Sequence, residues 1–249
     1  MLKYFLAENK KTKHTFINKL VWLAPIFTIL LSMFFAVDYF QVDSYNWWYN
    51  MMLPGSLSLG CCLLSRIDGN MKNKAVIALP IDLKKVWFAK ILIGIKNLSI
   101  SCTIILVCSQ LGVYLINIDG IKEIALVNRF YATTLLIITF MWQVPLNIFL
   151  ENKIGLFGTI ILGLGANIFF GIMAVESYWW MIPFSYPFRI MCPVLGVLPN
   201  GLLAVPESQT FTPEVLSYSS VPYGLIVSII LFLAISYITS IWYERKEVL

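Results

Sequence analysis

Six long stretches of the chain contain no charged residue, and segments that carry charged residues separate them. Each stretch is 18 to 29 residues long: Leu20–Val37, Ser44–Ser65, Asn97–Ile118, Phe130–Leu150, Ile154–Val175 and Val215–Tyr243. A helix needs about 20 mainly apolar residues to cross a bilayer. The pattern therefore predicts an all-α membrane protein with six transmembrane helices, in which the third helix begins before Lys96.

The composition supports this class. Of the 249 residues, 59% are hydrophobic and only 12% are charged, whereas a soluble domain carries roughly 25% charged residues. A chain of this length accommodates a single membrane domain, residues 1–249, with no large soluble domain beside it. The net charge of +5 does not indicate binding to nucleic acid, because the cations follow the predicted membrane topology.

The cations are distributed unequally between the two predicted sides. With six spans, fifteen of the 18 lysines and arginines lie on one side, and only Lys122, Arg129 and Arg189 lie on the other. The positive-inside rule then places both termini in the cytoplasm of a multi-pass protein of the cell membrane. Before the first span, five apolar residues share one helical face and predict an amphipathic helix on the inner membrane surface: Leu2, Phe5, Leu6, Phe16 and Ile17.

The segment Arg66–Lys90 is the most basic loop of the chain. Its centre, residues 75–81, is apolar and contains Pro80. An apolar patch with cations around it suits burial in the groove of another protein, and the alternative is a short helix on the lipid headgroups. Pro80 disfavours helical geometry at Leu79, so a new helix is predicted after it, with Asp82 capping its N-terminus.

A polar stripe crosses the fourth predicted span. Thr139, Gln143 and Asn147 recur at four-residue intervals and therefore share one face of a helix. Such a face avoids lipid, so it is predicted to face another helix or a wet cavity that contacts substrate.

The segment Glu176–Glu214 is apolar but rich in proline, which predicts short re-entrant or interfacial helices on the outer side. It offers an acid and six aromatic side chains as a candidate substrate contact or gate: Glu176, Tyr178, Trp179, Trp180, Phe184, Tyr186 and Phe188. The alternative is a structural plug that only closes the outer face.

The sequence lacks the motifs of several function classes. It contains no GxxxxGK[ST], no HExxH and no GxSxG, so we predict no catalytic residue, no cofactor and no metal site in this chain. No acidic residue lies within a predicted span, which argues against a proton-coupled antiporter. An ATP-driven transporter whose ATPase is a separate chain fits better.

Several motifs resemble those of ABC-2 type permeases. In that family the inner loop commonly carries a Leu-Pro-Ile/Val step, a basic pair and an Ala-Lys pair, which here are residues 79–81, 84–85 and 89–90. Residues 142–146 (WQVPL), 183–189 (PFSYPFR) and 199–201 (PNG) look like those of the lantibiotic-immunity permeases of the MutE/EpiE type.

The resemblance implies a function and partners. Such permeases pair with a second, related permease as a heterodimer and with two copies of a cytoplasmic ABC ATPase, and they expel a lantibiotic peptide from the membrane to the outside, which gives immunity or resistance. It also implies that residues 70–79 form the ATPase-coupling helix, with the following residues at the contact: Lys72, Lys74, Val76, Ile77, Leu79 and Pro80. The alternatives are an ABC-2 exporter of another drug or lipid, and a membrane sensor or scaffold that transports nothing.

Overall fold

The computed structural model describes residues 1–35, 37–69, 81–116 and 123–245, and within these ranges the chain is overwhelmingly helical. Among the described residues we number nine α-helices in chain order: α1 Leu2–Thr12, α2 Phe16–Phe35, α3 Phe40–Trp47, α4 Leu53–Gly69, α5 Leu83–Ile116, α6 Leu126–Phe140, α7 Gln143–Ile172, α8 Tyr186–Leu195 and α9 Ser220–Glu244. In these ranges the only strand-like pairing is an isolated antiparallel bridge between Val197 and Leu203.

Four helical stretches among the described residues are long and apolar enough to cross a membrane: Phe16–Phe35, Leu83–Leu115, Leu126–Val175 and Ser220–Glu244. Large apolar side chains cover much of their outer surface, and Phe34, Leu115 and Phe157 are each about four-fifths exposed. Contiguous apolar surface of this extent marks contact with lipid rather than with water. The predicted all-α, transmembrane character is therefore confirmed.

The predicted second span is helical but divided. A π-helical turn, Trp48–Met52, lies between α3 and α4. The amide of Leu53 bonds the carbonyl of Trp48, one residue further back than in an α-helix, and Pro54, the next residue, has no N–H to donate. Proline also clashes with the carbonyl four residues before it, so the helix widens locally at this point.

The predicted fourth span is broken in the same way. The helix α6 ends at Phe140 and α7 begins at Gln143. Pro145 cannot donate to the carbonyl of Met141, and the amide of Val144 bonds that carbonyl instead, at 3.2 Å. The described part of the third span, in contrast, lies in one continuous helix, α5, which begins well before Lys96 as predicted and is described as far as Ile116.

The helix α7 reverses direction in its middle. Gly155 has a φ of 73° and a ψ of −179°, a region that only glycine adopts readily. The side-chain amides of Gln143 and Asn167 bond each other at 2.8 and 3.1 Å although they are 24 residues apart. A continuous helix would separate them by about 36 Å. The residues on either side of Gly155 therefore form two antiparallel legs.

One hydrophobic core runs through the bundle, from Ile17 to Tyr243. The helices α4 and α7 pack most extensively, followed by α2 and α5. The helix α1 lies mainly against α5, with Leu2 and Leu6 exposed and Glu8 and Thr12 buried. The predicted amphipathic helix therefore exists but ends at Thr12, so Phe16 and Ile17 belong to α2, where Ile17 is part of the core.

The predicted outer segment folds into short helices packed on the bundle. Single 3₁₀ turns lead into α8, which contacts α6 and α9 and has nine buried residues among its ten. The helix α8 ends at Gly196, whose left-handed φ of 69° and hydrogen bond to the Cys192 carbonyl form a typical glycine C-terminal cap.

We expect Gly155→Ala to destabilise the fold by about 1–3 kcal/mol, because its backbone geometry disfavours any side chain. No atom lies within 4 Å of the position of the added Cβ, so the loss would come from the backbone alone. Gly165→Ala, in the second leg of α7, is the matched control, since its Cβ also meets no atom within 4 Å and alanine favours a helix. Thermal unfolding in detergent measures both. Equal melting temperatures for the two variants would contradict a glycine-dependent reversal.

Candidate functional site

Four charged side chains from three helices meet at the end of the bundle where α1 lies. We call Glu8, Lys11, Asp68 and Lys90 the ionic junction. The Lys90 ammonium donates to Asp68 at 2.7 Å and lies 3.2 Å from a Glu8 carboxylate oxygen. The Lys11 ammonium pairs with Glu8 and donates to both oxygens of Asp68 at 3.0 and 3.1 Å. The two cations and two anions thereby fasten α1, α4 and α5 together.

Three of the four junction side chains are shielded from solvent, while that of Lys11 is 33% exposed. The side chain of Lys90 is only 2% exposed, and those of Glu8 and Asp68 are 5% and 10% exposed. Removing one partner from a buried pair leaves an uncompensated charge and costs about 3–5 kcal/mol. The four residues therefore depend on one another.

The pKa values of two members reflect this pairing. Burial would raise the pKa of Asp68, but the charges and hydrogen bonds of Lys90 and Lys11 outweigh burial and lower it. Burial would lower the pKa of Lys11, but Glu8 and Asp68 raise it above its ordinary value. Both groups therefore stay charged near neutral pH, which keeps the junction intact.

Further polar contacts join other helices at the same end. Arg66 on α4 pairs with Glu151 on α7 at 3.0 Å, and Lys84 on α5 pairs with Glu244 on α9 at 2.8 Å. The ammonium of Lys96 on α5 donates to the side chain of Asn9 on α1 at 2.6 Å, which connects these two helices. The end of the bundle that carries most cations of the described residues is thus held by ion pairs between helices.

The junction also flanks the predicted coupling segment. Its residues Lys72, Lys74, Val76, Ile77, Leu79 and Pro80 lie outside the described residues. On one side of the segment, Asp68 is fixed by the junction. On the other, α5 begins at Leu83 with the predicted cap, because the Asp82 carboxylate accepts the Lys85 amide at 3.1 Å. Lys90 follows two turns later, so both ends of the segment lead into helices that the junction joins.

The predicted polar stripe faces protein. Thr139, Gln143 and Asn147 are all buried. Gln143 exchanges hydrogen bonds with Asn167 on the other leg of α7, while Thr139 donates to the carbonyl of Leu135 at 2.8 Å. The Gln143–Asn167 pair is a contact of helix packing, one of the two alternatives, whereas Thr139 bonds within its own helix.

The predicted outer aromatic surface divides into an exposed and a buried part. Glu176, Tyr178 and Trp180 are exposed, and Trp179 and Phe184 are half-buried. Tyr186 and Phe188 are not part of this surface, because α8 packs into the bundle and buries both. There the Phe188 ring meets Tyr49 at 5.5 Å between centroids.

Arg189 holds the exposed aromatic segment in place. Its guanidinium donates to the carbonyls of Ala174 and Glu214 at 3.0 and 2.8 Å and lies 5.4 Å from the centre of the Trp179 ring. The hydroxyl of Tyr186 donates to the carbonyl of Trp180 at 2.7 Å. The backbone is therefore fixed where Trp180 projects outward.

A separate pocket of about 350 Å³ is lined by residues of α3, the π-helical turn, the end of α7 and α8. Its polar walls come from Asn46 and Asn50, next to the π-helical turn, and from Asn200 after α8. Aromatic and apolar walls come from Trp47, Met51, Ile168, Ile172 and Phe188. π-Helical turns often occur at functional sites, and a recess of this mixed character suits an amphiphilic ligand.

Glu8 and the burial of Lys90 were missed by the sequence analysis, which counted Lys90 among loop cations. One signal was present: Lys90 follows Val86 by four residues and so shares the helical face on which Val86 is buried. A charge in register with an apolar stripe predicts a buried partner.

Comparison of the chain with protein-family models, curated proteins and solved structures found no match.

Proposed function

We propose that the chain is the membrane permease subunit of an exporter driven by a separate cytoplasmic ATPase. The observation that carries the proposal is the ionic junction, which fastens both flanks of residues 70–80 to the same bundle of helices. A partner that moves this segment would pull on α4 and α5 together, since Asp68 and Lys90 are bonded directly. Coupling of two sites needs such a physical connection between them.

The proposal includes six crossings with both termini in the cytoplasm. Two features support this number: the reversal at Gly155 divides the longest apolar stretch into two legs, and residues 40–69 are helical throughout. The orientation is supported by the cations at the α1 end, since cytoplasmic ends of membrane helices are enriched in lysine and arginine.

We propose a cationic, amphiphilic peptide of the lantibiotic class as the substrate. The support is the motif resemblance together with the chemistry of the outer end. There Tyr178 and Trp180 are exposed and Glu176 supplies a negative charge. A separate pocket offers the side-chain amides of Asn46, Asn50 and Asn200. Aromatic rings with a polar edge suit ligands that are partly apolar and partly wet.

The coupling role is tested by Ile77→Asp. If residue 77 enters a groove of the ATPase, the new carboxylate is buried without a partner, and the permease should lose the ATPase during detergent extraction. Cells carrying the variant should become as sensitive to the peptide as a deletion strain. Ala75→Asp is the matched control, because it adds the same charge about 160° around the predicted helix.

In this test the amount of permease in the membrane is measured by immunoblot, so that loss of the protein is not mistaken for loss of coupling. Normal ATPase retention and normal protection with Ile77→Asp would contradict the coupling role. Sensitivity that does not change when the whole gene is deleted would contradict peptide export itself.

The outer contact is tested by Trp180→Leu. The Trp180 side chain is exposed, and the hydrogen bond from Tyr186 goes to its backbone carbonyl. The replacement should therefore leave the fold intact, and we expect it to lower protection against the peptide. Trp179→Leu is the informative comparison, because that ring packs on Arg189, Tyr186 and Tyr223 and its loss should also lower the melting temperature. Full protection by Trp180→Leu at equal expression would show that this ring does not contact the peptide.

A further inference from the structure

A second site lies at the opposite end of the bundle from the ionic junction, where α5 ends and α6 begins. Arg129, in the first turn of α6, is only 3% exposed, and its Nε and Nη1 atoms have no hydrogen-bond partner within the described part of the chain. A buried guanidinium is costly to leave without an anion or acceptors.

The other buried arginine of the described residues is better satisfied, although its Nε also has no hydrogen-bond partner among them. Arg189 donates to two carbonyls and lies on the Trp179 ring. For Arg129, the nearest polar contacts involve its backbone: its carbonyl accepts from the Tyr45 hydroxyl at 3.4 Å. Among the described residues, no acceptor or anion is supplied to the Nε and Nη1 atoms of its guanidinium.

Arg129 lines an open pocket of about 570 Å³. The other described residues of its wall are Gln110, Tyr114, Glu123, Ile124, Ala125 and Leu126. Gln41 fixes this wall from behind, because its side chain accepts from the Ile124 amide at 2.8 Å and donates to the Ser109 carbonyl at 3.2 Å. The pocket is thus built on a rigid polar support.

The N-terminus of α6 opens into the same pocket. The helix is 15 residues long, its N-cap residue is Ala125, and no side chain caps it. The first amides of a helix have no partner within the helix, and its dipole attracts negative charge there. A helix N-terminus combined with a guanidinium is a strong arrangement for an anion.

We infer that this pocket binds a phosphate group, either the headgroup of a phospholipid or free phosphate. Guanidinium matches the oxygens of phosphate in a two-pronged geometry. The surroundings favour the lipid source, because Tyr114, Leu115, Val127 and Phe130 are exposed next to the pocket and would contact acyl chains. The exposed carboxylate of Glu123 lies at the pocket wall. It would repel anions, and would disfavour most those that have no acyl chains to contact these apolar side chains. The inference does not depend on the proposed export.

The test uses the whole chain purified in maltoside detergent without phosphate, with melting temperature as the readout. The probes are dioleoyl phosphatidylglycerol, a diacyl glycolipid without phosphate, and inorganic phosphate. Phosphatidylglycerol should raise the melting temperature and the glycolipid should not. A rise with inorganic phosphate as well would show that the free anion also binds.

Two variants remove the site in different ways. Arg129→Gln removes the positive charge and should weaken binding roughly tenfold or more, since hydrogen bonds to charged groups are strong. Ala125→Asp should cap α6 and keep the fold stable, while its carboxylate repels the phosphate. Arg66→Gln, at the ionic end, is the control and should respond to the lipid like the wild type.

The same lipid-induced rise in Ala125→Asp as in the wild type would overturn the inference, even if Arg129→Gln failed to fold. A wild type that responds equally to phosphatidylglycerol and to the glycolipid, and not to inorganic phosphate, would overturn it too. A rise that both pocket variants lose and Arg66→Gln keeps would establish it.

Discussion

The burial of the Lys90 ammonium is the constraint on which the rest of the structure depends. An ammonium inside a helical bundle is tolerated only when anions surround it, and here Asp68 and Glu8 supply them from two other helices. That requirement places α1 against α5 and fixes the end of α4. It also explains why α1 buries Glu8 and Thr12 while it exposes Leu2 and Leu6.

Proline and glycine set the shape of the remaining bundle. Pro54 and Pro145 each remove a backbone donor. A π-helical turn accompanies Pro54, and the break between α6 and α7 accompanies Pro145. Gly155 permits the reversal that brings Gln143 to Asn167. The two ends of the bundle then have different chemistry: ion pairs join the helices at one end, and aromatic rings, amides and an unpaired guanidinium lie at the other.

Local patterns in the sequence predicted the helical class, the continuous α5 and the Asp82 cap, because each depends on neighbours within a few residues. The aromatic surface predicted for residues 178–188 is smaller in the structure than the sequence indicated. Tyr186 and Phe188 are aromatic residues of the same segment as Trp180, yet α8 packs against α6 and α9 and buries both side chains. The partners of Lys90 are 22 and 82 positions away, and no local pattern reveals such pairs. The six crossings, the ATPase and the peptide stay predictions.

A double-mutant cycle tests most directly whether the ionic junction acts as one unit. Asp68→Asn, Lys90→Met and the double variant are unfolded by sodium dodecyl sulfate in mixed micelles, beside a parallel cycle on the exposed pair Lys84 and Glu244. The account predicts that the double variant at the junction loses less stability than the sum of the single variants, by about 0.5–3 kcal/mol, while the exposed pair shows no measurable coupling. Additive losses at Asp68 and Lys90 would contradict it.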